Sequence, residues 1–288
     1  MKRPSGFAGG PASAGPCSIA AGKQSVTLVL VLAGLAAGLA LAPPLERASD
    51  SSQRDVIRRA SAAYYSLKDR GLLSCQCEVV PDWDGLFQTV KPAAGAQDQL
   101  LPLLKQTRFQ VTIGPTGASS VSHEAGYPPP NEQVAERLRM EIMSIERLVT
   151  GFFEMWSPFS FDSPFPDAQT EFKLEDTAGQ YRISYQQGPI AVVTTMAADY
   201  ALTGMDVKGP QVEVHFHPQW QRVEGLYMLS VIKAEFATGS AAMQQMEAKV
   251  AYQDIEGWEL PSTLAVKLIS PSAHSLNLTF ADCRVTKR

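Results

Sequence analysis

From Phe172 to the C-terminus the hydrophobic period is two, with turn signals between the segments and no helical pattern of any length among them. Residues 180–187, QYRISYQQ, set Tyr181, Ile183 and Tyr185 on one side, and Gly188-Pro189 turns the chain. Residues 211–217, QVEVHFH, set Val212, Val214 and Phe216 against Glu213, His215 and His217. Residues 226–236 and 247–253 can pair with them. Ile255-Glu256-Gly257 turns into residues 260–269, and residues 275–285 follow with Leu276, Leu278 and Phe280 on one face. Strands joined by short turns are antiparallel, so this half is expected to form a broad meander. Such a sheet has to cover its apolar face, and the rest of the chain must supply the cover.

The first half offers helices for that purpose. Ser51 and Ser52 are N-cap residues ahead of Val56, Ile57, Ala60, Tyr64 and Leu67, spaced three and four apart, with Gly71 as the stop. Residues 73–80 read as a strand, residues 81–85 (PDWDG) as a turn, residues 97–106 as a short helix and residues 108–113 as a second strand. After Pro128-Pro129-Pro130, Asn131 caps a helix whose apolar positions Val134, Leu138, Ile142, Ile145, Leu148, Val149, Phe152 and Phe153 keep helical spacing until Ser157-Pro158. The predicted fold is α+β, a strongly curved antiparallel sheet or half-barrel covered by or wrapped around helices, one of them long and central. Hydrophobic residues at 45% and charged residues at 19% give such a domain an ordinary core without metal stapling.

Residues 1–45 read as a leader. Lys2, Arg3 and Lys23 precede an apolar run, Val26 to Ala42, of 17 residues, short for a membrane span and long for a signal-peptide core. Ala40-Leu41-Ala42 is a cleavage site followed at once by Pro43 and Pro44, so a cleaved signal peptide and a retained single anchor both stand. Either way the positive flank leaves the N-terminus inside and sends residues 46–288, a single domain, to the periplasm or exterior. Cysteine usage agrees. Cys75 and Cys77 share one strand face and Cys283 lies in the last strand, so Cys283 can bond either one, with the alternative of three free thiols.

The formal charge is −4, and residues 1–50 hold four Lys/Arg against two Asp/Glu, so the remainder carries −6 and lacks a basic stripe; nucleic acid is excluded as a partner. No nucleophile elbow, phosphate loop, dinucleotide fingerprint or His-Glu-x-x-His motif occurs, and residues 204–209 read as a turn without the Lys-Ser/Thr ending of a phosphate loop. Glu213, His215 and His217 alternate along one strand face and could converge on a metal, but Pro218 should end the strand there and no further ligand is evident. That face reads as solvated. No cofactor is expected.

The exported leader, the first amphipathic helix, and the C-terminal run of Gly257, Trp258-Glu259-Leu260-Pro261 and Phe280-Ala281-Asp282-Cys283-Arg284-Val285 form a layout that resembles the periplasmic lipoprotein carriers and their outer-membrane receptors, the LolA/LolB-like superfamily. The resemblance covers residues 165–288, and the long helix from Asn131 departs from it. It implies a non-enzymatic envelope protein that holds a lipid or acyl chain, or another hydrophobic ligand, inside an incomplete barrel. No functional residue transfers from that superfamily. On the apolar pattern, Phe152, Phe153, Val214, Phe216, Val266, Leu268, Leu278 and Phe280 are the expected cavity lining. The alternatives are an anchored structural or interaction module with a solid core and, third, a metal-dependent enzyme.

Overall fold

A computed structural model describes residues 51–89, 96–238, 243–270 and 274–287. The leader expected over residues 1–45 lies outside them. Among the described residues twelve strands form one antiparallel sheet. β4 (Phe172–Thr177), β5 (Gln180–Gln187), β6 (Ile190–Ala197), β7 (Leu202–Gly209), β8 (Val212–Val223), β9 (Leu226–Thr238), β10 (Gln244–Ile255), β11 (Trp258–Ser270) and β12 (His274–Lys287) follow one another as an unbroken meander. β12 then pairs with β1 (Leu72–Pro81), which pairs with β2 (Arg108–Ile113) and that with β3 (Ser119–Glu124). The order β3-β2-β1-β12-β11 through β4 leaves two edges, β3 and β4. Between them in sequence runs α4 (Glu132–Ser160), 29 residues and about 43 Å long at 1.5 Å per residue. A helix of that reach carries the chain from one edge of the sheet to the other across its concave face.

Local chemistry explains the elements, including those that depart from expectation. Asn131 accepts a 2.9 Å hydrogen bond from the Val134 amide and starts α4, as its position predicts. The helix runs past Pro158, where a stop was expected, because Phe159 and Phe161 bury their rings in the core and fix the last turn. The first helix, α1 (Ser51–Ser61), is shorter than its apolar spacing suggests. Its pattern breaks where Tyr65 N–H donates to the Tyr227 carbonyl at 2.9 Å and Tyr227 N–H to the Ala63 carbonyl at 2.8 Å, so the backbone is bound to β9 and the helix ends. The turn expected at residues 81–85 is the start of α2 (Trp83–Thr89). Asp82 Oδ1 accepts from Gly85 N–H at 3.0 Å, and that bond serves a turn and a helix N-cap alike. α3 (Ala96–Gln106) matches the expected short helix.

In the sheet, residues 204–209, expected as a turn, belong to β7, and Pro218, expected to end its strand, sits in the middle of β8 opposite Ile232. The pairing of β8 with β9 shifts register after Gln219, and such irregularities are where a strand accommodates proline. β3 has no expected counterpart because its SSVSHE sequence is largely exposed and carries no alternation to read. Three hairpins turn through Ala178-Gly179, Glu224-Gly225 and Glu256-Gly257 with positive φ at both positions, the geometry that matches strand twist.

One face of the sheet is apolar from β2 through β12 and β8 to β7 and buries Phe109, Val79, Phe280, Leu264, Val250, Ile232, Phe216 and Met205 among others against α4 and its neighbours. The opposite face carries polar and charged pairs, including His215 with Asp206, Lys208 with Glu213 and Lys233 with Glu247. β12 changes parity in mid-strand. Leu276, Leu278 and Phe280 are buried, Asp282 takes a left-handed φ of 47°, and the extra residue turns Cys283 and Val285 inward. Cys283 therefore faces Cys77 across a Cα–Cα distance of 4.1 Å, and the two form a disulfide; Cys75 stays free and buried.

Candidate functional site

One end of the concave space is plugged. The Tyr64 hydroxyl donates to the Tyr200 carbonyl and accepts from Leu202 N–H, both at 2.7 Å, while its ring meets Trp220 at 4.9 Å and Phe165 at 5.4 Å, near edge-on. Tyr227 donates to Asp199 at 2.5 Å, and that bond, followed by the Ala201 amide, holds the Asp199 carboxyl below its ordinary range. The Arg222 guanidinium stands 3.4 Å from the centre of the Tyr227 ring. Aromatic rings with satisfied polar tips make a stiff closure.

Beside this plug lies a cleft of about 560 Å³. One wall is the apolar face of β5 to β8, with Tyr185, Ile190, Val192, Met205, Val207 and Phe216. The other is the last two turns of α4 and the segment after it, with Glu154, Met155, Phe159 and Phe165, and the turn between β2 and β3 completes it. The lining thus comes from near both sheet edges, so the cleft occupies the seam that the unclosed sheet leaves. That turn is built to lie close: a Cβ on Gly117, whose φ is +79°, would collide with the Ser157 side chain. The segment 161–170 stays folded over the cleft by its own bonds, Asp167 accepting from the hydroxyl and amide of Thr170 at 2.8 and 2.7 Å, which hold its carboxyl low.

The polar groups in the cleft are unevenly distributed. Its ionisable side chains are Glu154, Asp162, Asp167 and Tyr185, with no Lys, Arg or His among the described lining residues. Asp162 pairs with Lys68 at 2.9 Å. Burial pushes the Glu154 carboxyl above its ordinary value and the Tyr185 hydroxyl up to about 12.

The expected cavity residues fall in three places. Phe216 lines the cleft. Val266 and Leu268 line a smaller recess of about 120 Å³ on another side of α4, with Leu276, Ile145 and Leu148. Phe152, Phe153, Val214, Leu278 and Phe280 are buried, and Phe280 packs 6.2 Å from Phe152 and 5.4 Å from Phe153 between ring centres. The largest group of cleft residues absent from the expectation sits in residues 154–166. Their signal was available in EMWSPFSFDSPFP, where aromatics alternate with three prolines, one inside the last turn of α4 and two in the irregular segment after it. Glu213, His215 and His217 lie on the face opposite the apolar core, with His215 Nδ1 2.8 Å from Asp206 Oδ1 and His217 opposite Lys233. Among the described residues no group of three or more His, Cys, Asp or Glu side chains is arranged to hold a metal.

Together these features define an α+β protein with an open, curved antiparallel sheet wrapped on a long helix and a cleft at its seam. No known protein family matches the sequence, and no curated protein does. Among solved structures the chain is similar to a LolA superfamily protein from Nitrosomonas europaea, with 12% identity, 82% of this chain and 94% of that chain covered, and a TM-score of 0.32. The likeness is one of layout.

Proposed function

We propose that the chain is a non-enzymatic cell-envelope protein that holds a lipid acyl chain or a similar hydrophobic ligand in the cleft between α4 and β5 to β8. The observation that carries this reading is the cleft itself, about 560 Å³ and walled by Phe159, Phe165, Val192, Met205, Val207 and Phe216. Ligand sites in proteins span roughly 300–1,000 Å³ and are largely apolar with a few placed polar groups. A water-sized group occupies about 30 Å³, so the cleft has room for on the order of eighteen methylene-sized groups, about one long acyl chain. Location outside the cytoplasm is supported by the disulfide between Cys77 and Cys283, which needs an oxidising compartment, and by the apolar leader read from the sequence.

The test is native mass spectrometry of the chain purified from an exporting host, followed by organic extraction and titration with the neutral dye N-phenyl-1-naphthylamine. A co-purified lipid of defined mass, or saturable dye binding that Val207→Trp abolishes, is the expected result. A clean apo mass without dye binding would overturn the reading in favour of an anchored interaction module.

A further inference from the structure

We propose that the cleft discriminates among amphiphiles by head group, taking one that carries a positively charged amine against Glu154 in preference to a carboxylate or phosphate head. The inference rests on the ligand-binding reading above and specifies its ligand class.

Three observations converge on it. First, the carboxyl side chains in the lining have different fates. Asp162 is neutralised by Lys68, and Asp167 accepts from the Thr170 hydroxyl and the amides of Gln169 and Thr170 through Oδ1 alone. Glu154, half-buried on the cleft side of α4, has no ion-pair or hydrogen-bond partner among the described residues. A carboxyl drawn out of water without a cation is costly, and a ligand that brings the cation removes that cost. The raised affinity of Glu154 for its proton has desolvation as its cause. Second, no basic side chain lines the cleft among the described residues, so an anionic head would meet carboxyl groups and nothing to pair with. Third, Phe159, Phe165, Tyr185 and Phe216 line the same space, and aromatic faces attract ammonium groups while leaving the apolar tail well accommodated.

The test is competition for N-phenyl-1-naphthylamine on the full chain by dodecylamine, dodecanol and dodecanoate at about pH 8, where an accessible carboxylate and an alkylammonium are both charged. Dodecylamine is expected to bind about tenfold or more tighter than dodecanoate, the size of one charge-assisted hydrogen bond. In Glu154→Gln that ratio should fall to within about threefold, and raising the salt should narrow it in the unmodified protein. Equal or tighter binding of dodecanoate, or an unchanged ratio in Glu154→Gln, would overturn the inference while leaving the cleft as a lipid site. The head-group ratio of the unmodified chain decides the matter even if the variant folds poorly. Failure of dodecanol and the dye to bind at all would instead bring down the ligand-binding reading, and this one with it.

Discussion

The bond between Cys77 and Cys283 joins residues 206 apart in sequence, and its position depends on a single backbone feature, the left-handed Asp282 that shifts β12 by one residue. In the chain-entropy model a loop that long is worth about 5 kcal/mol. Cys283→Ser should therefore lower the thermal midpoint steeply, and a change of only a degree or two would argue that the bond contributes little. Cys75 is the contrasting case. Burial pushes its thiol up to about 12, so it should resist iodoacetamide in the folded protein at neutral pH and react once urea unfolds the chain, with peptide mass spectrometry as the readout. Rapid labelling of native protein would contradict its burial. Three tyrosines set the alkaline limit. Burial raises the hydroxyls of Tyr64 and Tyr252 well above the usual value of about 10, and that of Tyr185 to about 12. The folded state keeps these protons where the unfolded state loses them, so their contribution to stability is complete below about pH 10 and declines as pH rises through the folded values. Tyrosinate absorbance should accordingly show these rings ionising in step with loss of the near-ultraviolet circular dichroism.

At the scale of elements, α4 has two different sides. Phe153 packs within 4.9 to 5.5 Å of Phe152, Phe280 and Trp156, whereas Met155, two residues on, borders the cleft. Phe153→Ala should cost about 3–5 kcal/mol, and Met155→Ala a fraction of that because the space beside it is already open. Urea denaturation of both variants separates a solid inner face from a cleft wall, and equal losses would mean that the cleft is filled in solution. The same contrast explains what could be read beforehand. The apolar stripe from Leu138 to Phe153, the Asn131 cap and the bounds of β2 and β5 follow from local spacing, and the structure places them as expected. Periodicity states which face of β8 is covered, and it correctly put Val214 and Phe216 there. It cannot state whether the volume above a given residue is filled, which is why it could not tell that Phe216 borders the cleft while Val214, equally buried on the same face, does not. Pro218 and residues 204–209 were misread because a proline beside a register shift, or glycine within a long strand, carries the same local signal as a turn.

For the whole molecule, the sheet order makes strands far apart in sequence, β1 and β12, interdependent. β1 completes its pairing on one side only when β12, the last strand, is in place, and β12 lies between β1 and β11. Contacts of such long sequence separation make folding slow, because loop closure precedes any gain from pairing. They also grade the sheet from its interior outward. β3 and β4 have a neighbour on one side only, and their exposed residues include Ser122, His123 and Glu124 in β3 and Lys173, Glu175 and Asp176 in β4, polar groups that discourage pairing with another chain. Amides at the edges open without disturbing the core, whereas amides of β11 and β12 are released only when strands on both sides separate. Native-state hydrogen exchange should follow that order, with β3 and β4 exchanging first and β11 and β12 last. Reducing the Cys77–Cys283 bond should then shorten protection in β1 and β2, which the disulfide ties to the meander, before it affects β8 to β10, which are joined by a hairpin and direct pairing. If reduction instead released β8 to β10 as early as β1, the disulfide would be stabilising the whole sheet as one unit. The graded model of interior and edges would then have to be abandoned.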